Sequence, residues 1–240
     1  MTAPSHLHTT QAFYDAIATE YAERYKNELA GNPMDRAVLA AFAERARGRA
    51  AGPVADLGCG PGRVTAHLHT LGLDVFGVDL SPAMVALARR EHPDLRFDEG
   101  SLTALEPTDG TLGGIVAWYS LIHTPQEELP AVFAEFHRVL APGGHLLVAF
   151  QAGDEPLHIS GPFGHAVSLD FNRLSPDRIT ALLRGAGFTL HATTLREPEG
   201  GERVRQAYLM ACKPERPWRY GRAAAPVAGA AALVCPLDDS

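Results

Sequence analysis

The residues of this chain best suited to chemistry are an acid, three alternating glycines and a second acid at fixed spacing. They are Asp56, Gly58, Gly60 and Gly62 in the run Asp56-Leu57-Gly58-Cys59-Gly60-Pro61-Gly62-Arg63, and Asp79, twenty-one residues after Gly58. Val54-Ala55-Asp56-Leu57 reads as a short buried strand and Val64 to Leu71 as a helix. Glycines at such a junction accept positive φ and let a ligand approach the backbone with no Cβ between them. The first N–H groups of the helix are free at the same place. Asp79 closes the next apolar run, Val75-Phe76-Gly77-Val78. A carboxylate there can accept hydrogen bonds from both hydroxyls of a ribose, so the unit reads as a nucleoside site.

The glycine spacing narrows the nucleoside. A dinucleotide fold carries G-x-G-x-x-G, with the pyrophosphate on the helix N-terminus. Here the spacing is G-x-G-x-G behind an acid, and Arg63 stands where the third dinucleotide glycine would be. An acidic strand end suits an ammonium and repels a diphosphate. The run resembles the glycine loop of the class I S-adenosylmethionine-dependent methyltransferases, whose ligand carries an amino acid where dinucleotides carry pyrophosphate. A nicotinamide oxidoreductase is the reading that Arg63 disfavours.

The elements that must hold these residues alternate. The first strand covers 54–57 with a helix at 62–71; the second covers 73–79, with a helix opened by Ser81-Pro82, an N-cap followed by a first-turn proline. Leu95-Arg96-Phe97 is a third strand with no clear helix after it, and Gly114 to Trp118 a fourth. A helix from Gln126 to Leu140 follows, stopped by Ala141-Pro142-Gly143-Gly144, and the fifth strand is His145 to Phe150. The phrase Arg138-Val139-Leu140-Ala141-Pro142-Gly143-Gly144 resembles the same family's "R-x-L-x-P-G-G" turn; physically it is a helix stop. Ser175-Pro176 opens a further helix that ends at Gly185-Ala186-Gly187. The runs 188–195 and 204–212, separated by Glu199-Gly200-Gly201-Glu202, read as an edge hairpin. Upstream, residues 10–30 read as a helix with Phe13, Tyr14, Ile17, Tyr21, Tyr25 and Leu29 at helical spacing, and Met34 to Arg47 as a second.

The pattern predicts an α/β fold: a Rossmann-like, seven-stranded, mostly parallel sheet with helices on both faces and a C-terminal antiparallel hairpin. Residues 1–50 form an N-terminal helical cap and 51–213 the core, in which 151–174 is an acceptor-side loop. Residues 214–240 read as a weakly ordered extension, opened by Pro214, Pro217, Trp218, Arg219 and Tyr220.

Ligands in open α/β sheets sit beyond the carboxyl ends of the strands. With the resemblance, that rule assigns S-adenosylmethionine to Gly58, Cys59 and Gly60 for its methionine part, with Asp56 before them and Asp79 for the ribose. Leu80 and Met84 wall the adenine, and Leu102 and Tyr119 complete the site. Ser101 stands where the family usually has an acid that bonds the adenine amino group, and bonds there more weakly. Tyr14 and Tyr21 come from the cap segment that in many small-molecule methyltransferases reaches the cofactor's amino-acid end; packing the helix is their other reading. Tyr25, Phe163, His165, Arg173 and His123 are expected around the acceptor. His123 and His165 are the candidate bases, since an unperturbed imidazole titrates near neutrality; lining the pocket is the alternative for each. Arg173 is suited to an acidic acceptor group.

Composition restricts the partners. The chain has 240 residues, 46% of them hydrophobic, and a formal charge of −7, which argues against a large nucleic-acid footprint. Its beginning lacks the basic and apolar regions of a signal peptide, and no apolar run reaches the length of a membrane span. Cys59, Cys212 and Cys235 are scattered, so neither a disulfide framework nor a metal site is expected, and the compartment reads as cytoplasmic. The "N/D-P-P-Y/F" signature of nucleobase and glutamine-amide methylation is absent from the Trp118-Tyr119-Ser120-Leu121 run. The function that the resemblance implies is methyl transfer to a small-molecule acceptor. RNA or protein methylation and a non-catalytic S-adenosylmethionine-binding or S-adenosylhomocysteine-binding module are the alternatives.

Overall fold

The computed structural model describes residues 5–49 and 52–215. The expectation for the C-terminal extension falls, from residue 216 onward, outside the described residues, as does Cys235. In chain order the helices are α1 (Ser5–Tyr25), α2 (Glu28–Gly31), α3 (Pro33–Arg49), α4 (Arg63–Thr70), α5 (Pro82–Glu91), α6 (Leu129–Val139) and α7 (Pro176–Gly185). The strands are β1 (Val54–Leu57), β2 (Val75–Asp79), β3 (Arg96–Glu99), β4 (Leu112–Trp118), β5 (Leu140–Gln151), β6 (Leu157–Ser160), β7 (Ser168–Phe171), β8 (Thr189–Arg196) and β9 (Gln206–Cys212).

Seven strands form one sheet in the order β3-β2-β1-β4-β5-β9-β8. The first five are parallel; β9 runs antiparallel between β5 and β8. The order reverses between β1 and β4, which opens a crevice beyond their carboxyl ends. Alternate side chains serve the two faces, as a strand's period of two requires. Ile115 and Leu146 join one core with Phe133 and Phe136 of α6, while Val116 and Leu147 join the other with Phe42 of α3 and Leu68 of α4. Helices therefore cover both faces, as the sequence predicts.

Several boundaries differ. The expected helix over 10–30 is two: α1 ends at Tyr25, a turn at Lys26-Asn27 follows, and α2 is a single short turn. The helix after β1 begins at Arg63, because Gly62 is left-handed at φ +84°. The helix expected from Gln126 starts at Leu129, after a turn closed by Glu128 N–H to the Pro125 carbonyl. It stops at Val139, and Leu140 is already extended and pairs with Leu112, so β5 begins before the glycines rather than after them. The acceptor-side loop 151–174 contains its own two-stranded sheet, β6 with β7, in the register Leu157↔Phe171 to Ser160↔Ser168. Among the described residues no helix is long and apolar enough to cross a membrane.

Candidate functional site

A cavity of about 550 Å³ lies at the switch point, within the range of small-ligand sites. Its floor is the glycine loop. Gly58 and Cys59 donate their N–H groups to the Val78 carbonyl at 2.7 and 3.1 Å, tying the loop to β2. Gly58 has φ +76°, and a Cβ there would lie 2.2 Å from the Cβ of Ser120, so the β4 loop passes directly over it. Gly60 is also left-handed, at φ +54°, but a Cβ built there meets nothing within 4 Å. Its bare Cα faces open space in the cavity wall.

Two acids flank this floor. Asp79 receives the Gly60 N–H at 2.7 Å on one oxygen and the Ser81 N–H at 2.9 Å on the other; burial still pushes its carboxyl above the usual range. Asp56 is fully buried. Thr65 donates its hydroxyl to Asp56 Oδ2 at 2.6 Å, while Oδ1 has no partner among the described residues. Burial is the main reason that the Asp56 carboxyl rises to about 7. A buried acceptor without a donor is costly, and this one lines the cavity. Cys59 packs on Val85, Ala88 and Phe97, and burial pushes its thiol well up, so it is a neutral filler rather than a nucleophile.

Helix α1 roofs the cavity. Asp15 accepts the Ser81 hydroxyl at 2.5 Å and the Ala83 N–H at 3.2 Å, which seats α1 on the first turn of α5. Tyr14, Tyr21 and Tyr25 follow on the inner side, with ring centroids 5.8 and 4.6 Å apart. The Arg63 guanidinium lies over Tyr21 and Tyr25, pairs with Glu28 at 2.6 Å and donates to the Tyr25 carbonyl at 2.9 Å. The residue that breaks the dinucleotide pattern thus ties the cap to the glycine loop.

His123, on the turn after β4, sits against Tyr14 with 2.7 Å between its Nε2 and the Tyr14 hydroxyl. Burial lowers its pKa to about 4, and the ring also meets Phe171 edge-on at 4.7 Å. Burial also holds Tyr14 protonated, so with a neutral ring its hydroxyl donates to Nε2 in one tautomer and accepts from Nε2–H in the other. In either case Tyr14 engages the Nε2 of the candidate base.

Leu80, Met84, Ser101, Leu102 and Tyr119 all line the cavity. Ser101 Oγ lies 2.9 Å from Thr103 Oγ1. Tyr119 adopts a positive φ of 56°, and its hydroxyl donates to Tyr208. Tyr208 donates to Asp35 at 2.6 Å and receives Arg196 Nε at 3.1 Å, and Arg196 grips Glu202 with both terminal nitrogens. Sequence reading missed this buried network, whose members lie far apart along the chain. Arg173 lines the cavity as expected. Phe163 and His165 do not. Phe163 is 48% exposed at the tip of the β6–β7 hairpin, and His165 turns outward to Glu20 of α1 at 3.2 Å. The hairpin's pairing holds these two residues at its far end, so both drop out of the site. Among the described residues no three His, Cys, Asp or Glu side chains converge as a metal site would require.

A family model described as "Methyltransferase domain" matches residues 54–144. The chain is 33% identical over 144 residues to the demethylmenaquinone methyltransferase of Beutenbergia cavernae, covering 59% of this chain and 58% of that protein. It is 35% identical over 116 residues to the trans-aconitate 2-methyltransferase of Rhizobium meliloti, covering 45% and 42%. The chain thus spans about half the length of the curated relatives it matches. The crystal structure of magnesium protoporphyrin IX methyltransferase from Synechocystis PCC 6803 with bound SAM superposes with a TM-score of 0.67 at 17% identity, covering 89% of this chain and 99% of that one.

Proposed function

We propose that this chain, whose residues 54–144 match a methyltransferase domain, is a class I S-adenosylmethionine-dependent methyltransferase that moves the methyl group of S-adenosylmethionine to a small-molecule acceptor. The observation that carries the reading is the unpartnered Oδ1 of buried Asp56, which lines the same cavity as the bare Gly60 and the carboxylate of Asp79. A methionine ammonium answers the first, a ligand pressed on backbone answers the second, and a ribose diol answers the third. S-adenosylmethionine carries all three groups in that order, so the residues fit it.

In this reading Asp79 exchanges its backbone donors for the ribose hydroxyls. Leu80, Met84 and Leu102 pack on the adenine and Ser101 bonds its edge. Tyr14 and Tyr21 close the amino-acid end. When bound, the cofactor supplies a methyl on a sulfonium whose departure leaves a neutral thioether. The chain's part is to hold the acceptor in line and keep water out, which is worth roughly 7–11 kcal/mol when the geometry is a near-attack one. Burial leaves His123 a weaker base than an ordinary imidazole, and its Nε2 faces the neutral Tyr14 hydroxyl. Its part is to fix the Tyr14 hydroxyl.

Calorimetric titration with S-adenosylmethionine tests the cofactor. The expected result is micromolar binding that Asp79→Ala weakens by about tenfold to a hundredfold, the value of charge-assisted hydrogen bonds at about 1.5–3 kcal/mol. Wild-type protein that takes NAD instead, or a variant that binds as tightly as wild type, overturns the reading.

A further inference from the structure

Arg173 is a cavity-lining cation without a counter-ion. Its Nε is buried with no hydrogen-bond partner among the described residues, and no described carboxylate pairs with its guanidinium. The position is built rather than accidental. Asn172 donates its N–H to the Ile122 carbonyl at 2.9 Å and its side-chain amide to the Thr124 carbonyl at 3.2 Å, fixing the segment to the turn that carries His123. Leu174 donates to the Gln151 carbonyl at 2.9 Å and receives Gly153 N–H at 3.2 Å. Gly153 stands at φ +154°, and a Cβ there would come within 3.1 Å of Arg173 Cδ. The arginine stem therefore passes over a glycine that leaves it room.

The acids around the cavity are committed elsewhere. Glu28 pairs with Arg63, Asp35 and Glu202 serve the Tyr208–Arg196 network, and Asp79 holds backbone N–H groups. Asp56 keeps a free oxygen, but it belongs to β1, two strands from β5 in the sheet order. Arg173 follows β7, and its neighbour Leu174 is bonded to Gln151 at the end of β5.

We infer that Arg173 binds a carboxylate of the acceptor, so that the substrates are organic acids. The inference rests on the methyl-transfer reading above. A carboxylate matches the guanidinium fork and supplies the missing acceptors for its N–H groups. The cofactor's own carboxylate has the same chemistry, and S-adenosylmethionine binding by R173Q tells the two apart.

The test uses full-length protein saturated with S-adenosylhomocysteine and titrated with benzoate, trans-cinnamate and trans-aconitate, each beside its amide. S-adenosylmethionine is titrated separately into wild type, R173Q, R173K and G153A. At least one acid should bind about tenfold or more tightly than its amide, lose that margin in R173Q and recover part of it in R173K. G153A, which displaces the stem and keeps the charge, should weaken the acid as well. Cofactor affinity should stay at the wild-type level in R173Q. Amides that bind as well as acids, acids that bind R173Q unchanged, or no acid binding at all would overturn the inference while leaving the cofactor reading intact. Loss of S-adenosylmethionine binding in R173Q would assign the arginine to the cofactor's carboxylate instead. Failure of wild type to bind S-adenosylmethionine would strike the underlying reading.

Discussion

Gly58 and Gly60 stand two residues apart with the same left-handed backbone, yet an added methyl should affect them differently. At Gly58 it would meet the Ser120 Cβ at 2.2 Å, under a buried loop that cannot give way. Gly58→Ala should therefore lower the melting temperature well beyond the roughly 1–2 kcal/mol that a left-handed alanine costs. Gly60→Ala meets open space, so its stability loss should stop near that figure, while S-adenosylmethionine binding should disappear. Thermal melts and cofactor titration on the two variants separate structure from function; equal effects at both sites would refute the assignment of the Gly60 face to the ligand. Asp56 makes a pH prediction. Its folded value, about 7, lies above the ordinary carboxylate value near 3.9. Between these values the folded chain keeps a proton that the unfolded chain has lost, so this stabilising contribution is complete below about pH 4 and disappears as pH rises through 7. The ligand-free melting temperature should fall from pH 5 to 8, and Asp56→Asn should flatten that fall; an unchanged slope would mean that Asp56 is ionised throughout. The acids and glycines were legible in the sequence because their spacing is local. Asp15 was not, since the donors that it meets, Ser81 and Ala83, lie more than sixty residues away.

Elements followed the same division. Strands β1, β2 and β4 and the caps Ser81 and Ser175 were readable because an apolar run or a serine–proline pair decides them locally. The β6–β7 hairpin was missed as structure although its signal exists: Leu157-His158-Ile159-Ser160 and Ser168-Leu169-Asp170-Phe171 both alternate apolar with polar. Reading the segment as a loop put Phe163 and His165 over the acceptor, whereas pairing carries them to the tip. Helix α1 was readable as a helix, but its docking depends on Asp15 reaching the first turn of α5, where the Ser81 cap is already bonded to Met84 N–H at 3.2 Å. Asp15→Ala removes both bonds and leaves the cap intact. It should cost about 1–2 kcal/mol of stability and weaken S-adenosylmethionine binding several-fold, because Tyr14 and Tyr21 ride on the helix. A stability loss with unchanged cofactor affinity would show that the tyrosines act only as packing.

At the scale of the whole molecule, the cavity is walled by parts of unlike rigidity. The floor belongs to β1, β4 and β5, whose side chains are buried on both faces. The roof is α1 and the β6–β7 hairpin: α1 is held by Asp15 and Ala18 on α5, Arg63 of α4 on Tyr21 and Tyr25, and Tyr14 on His123, and the hairpin by Asn172 on the turn after β4. The two roof parts also hold each other, through Phe13 against Phe171 at 5.9 Å and Glu20 against His165 at 3.2 Å. A ligand enclosed between floor and roof must enter by loosening the part with fewer buried contacts. Helix α1 and the hairpin should therefore open together, and hydrogen exchange should show it. On saturation with S-adenosylmethionine, amides of α1 and of β6–β7 should slow in step as their local opening is suppressed, while those of the buried strands β4 and β5 should slow by the global stabilisation that binding confers. Phe171→Ala, which removes the ring that both Phe13 and His123 touch, should uncouple the two responses. Slowing confined to α1 in the wild type would make the hairpin a separate flap, with acceptor entry independent of cofactor binding.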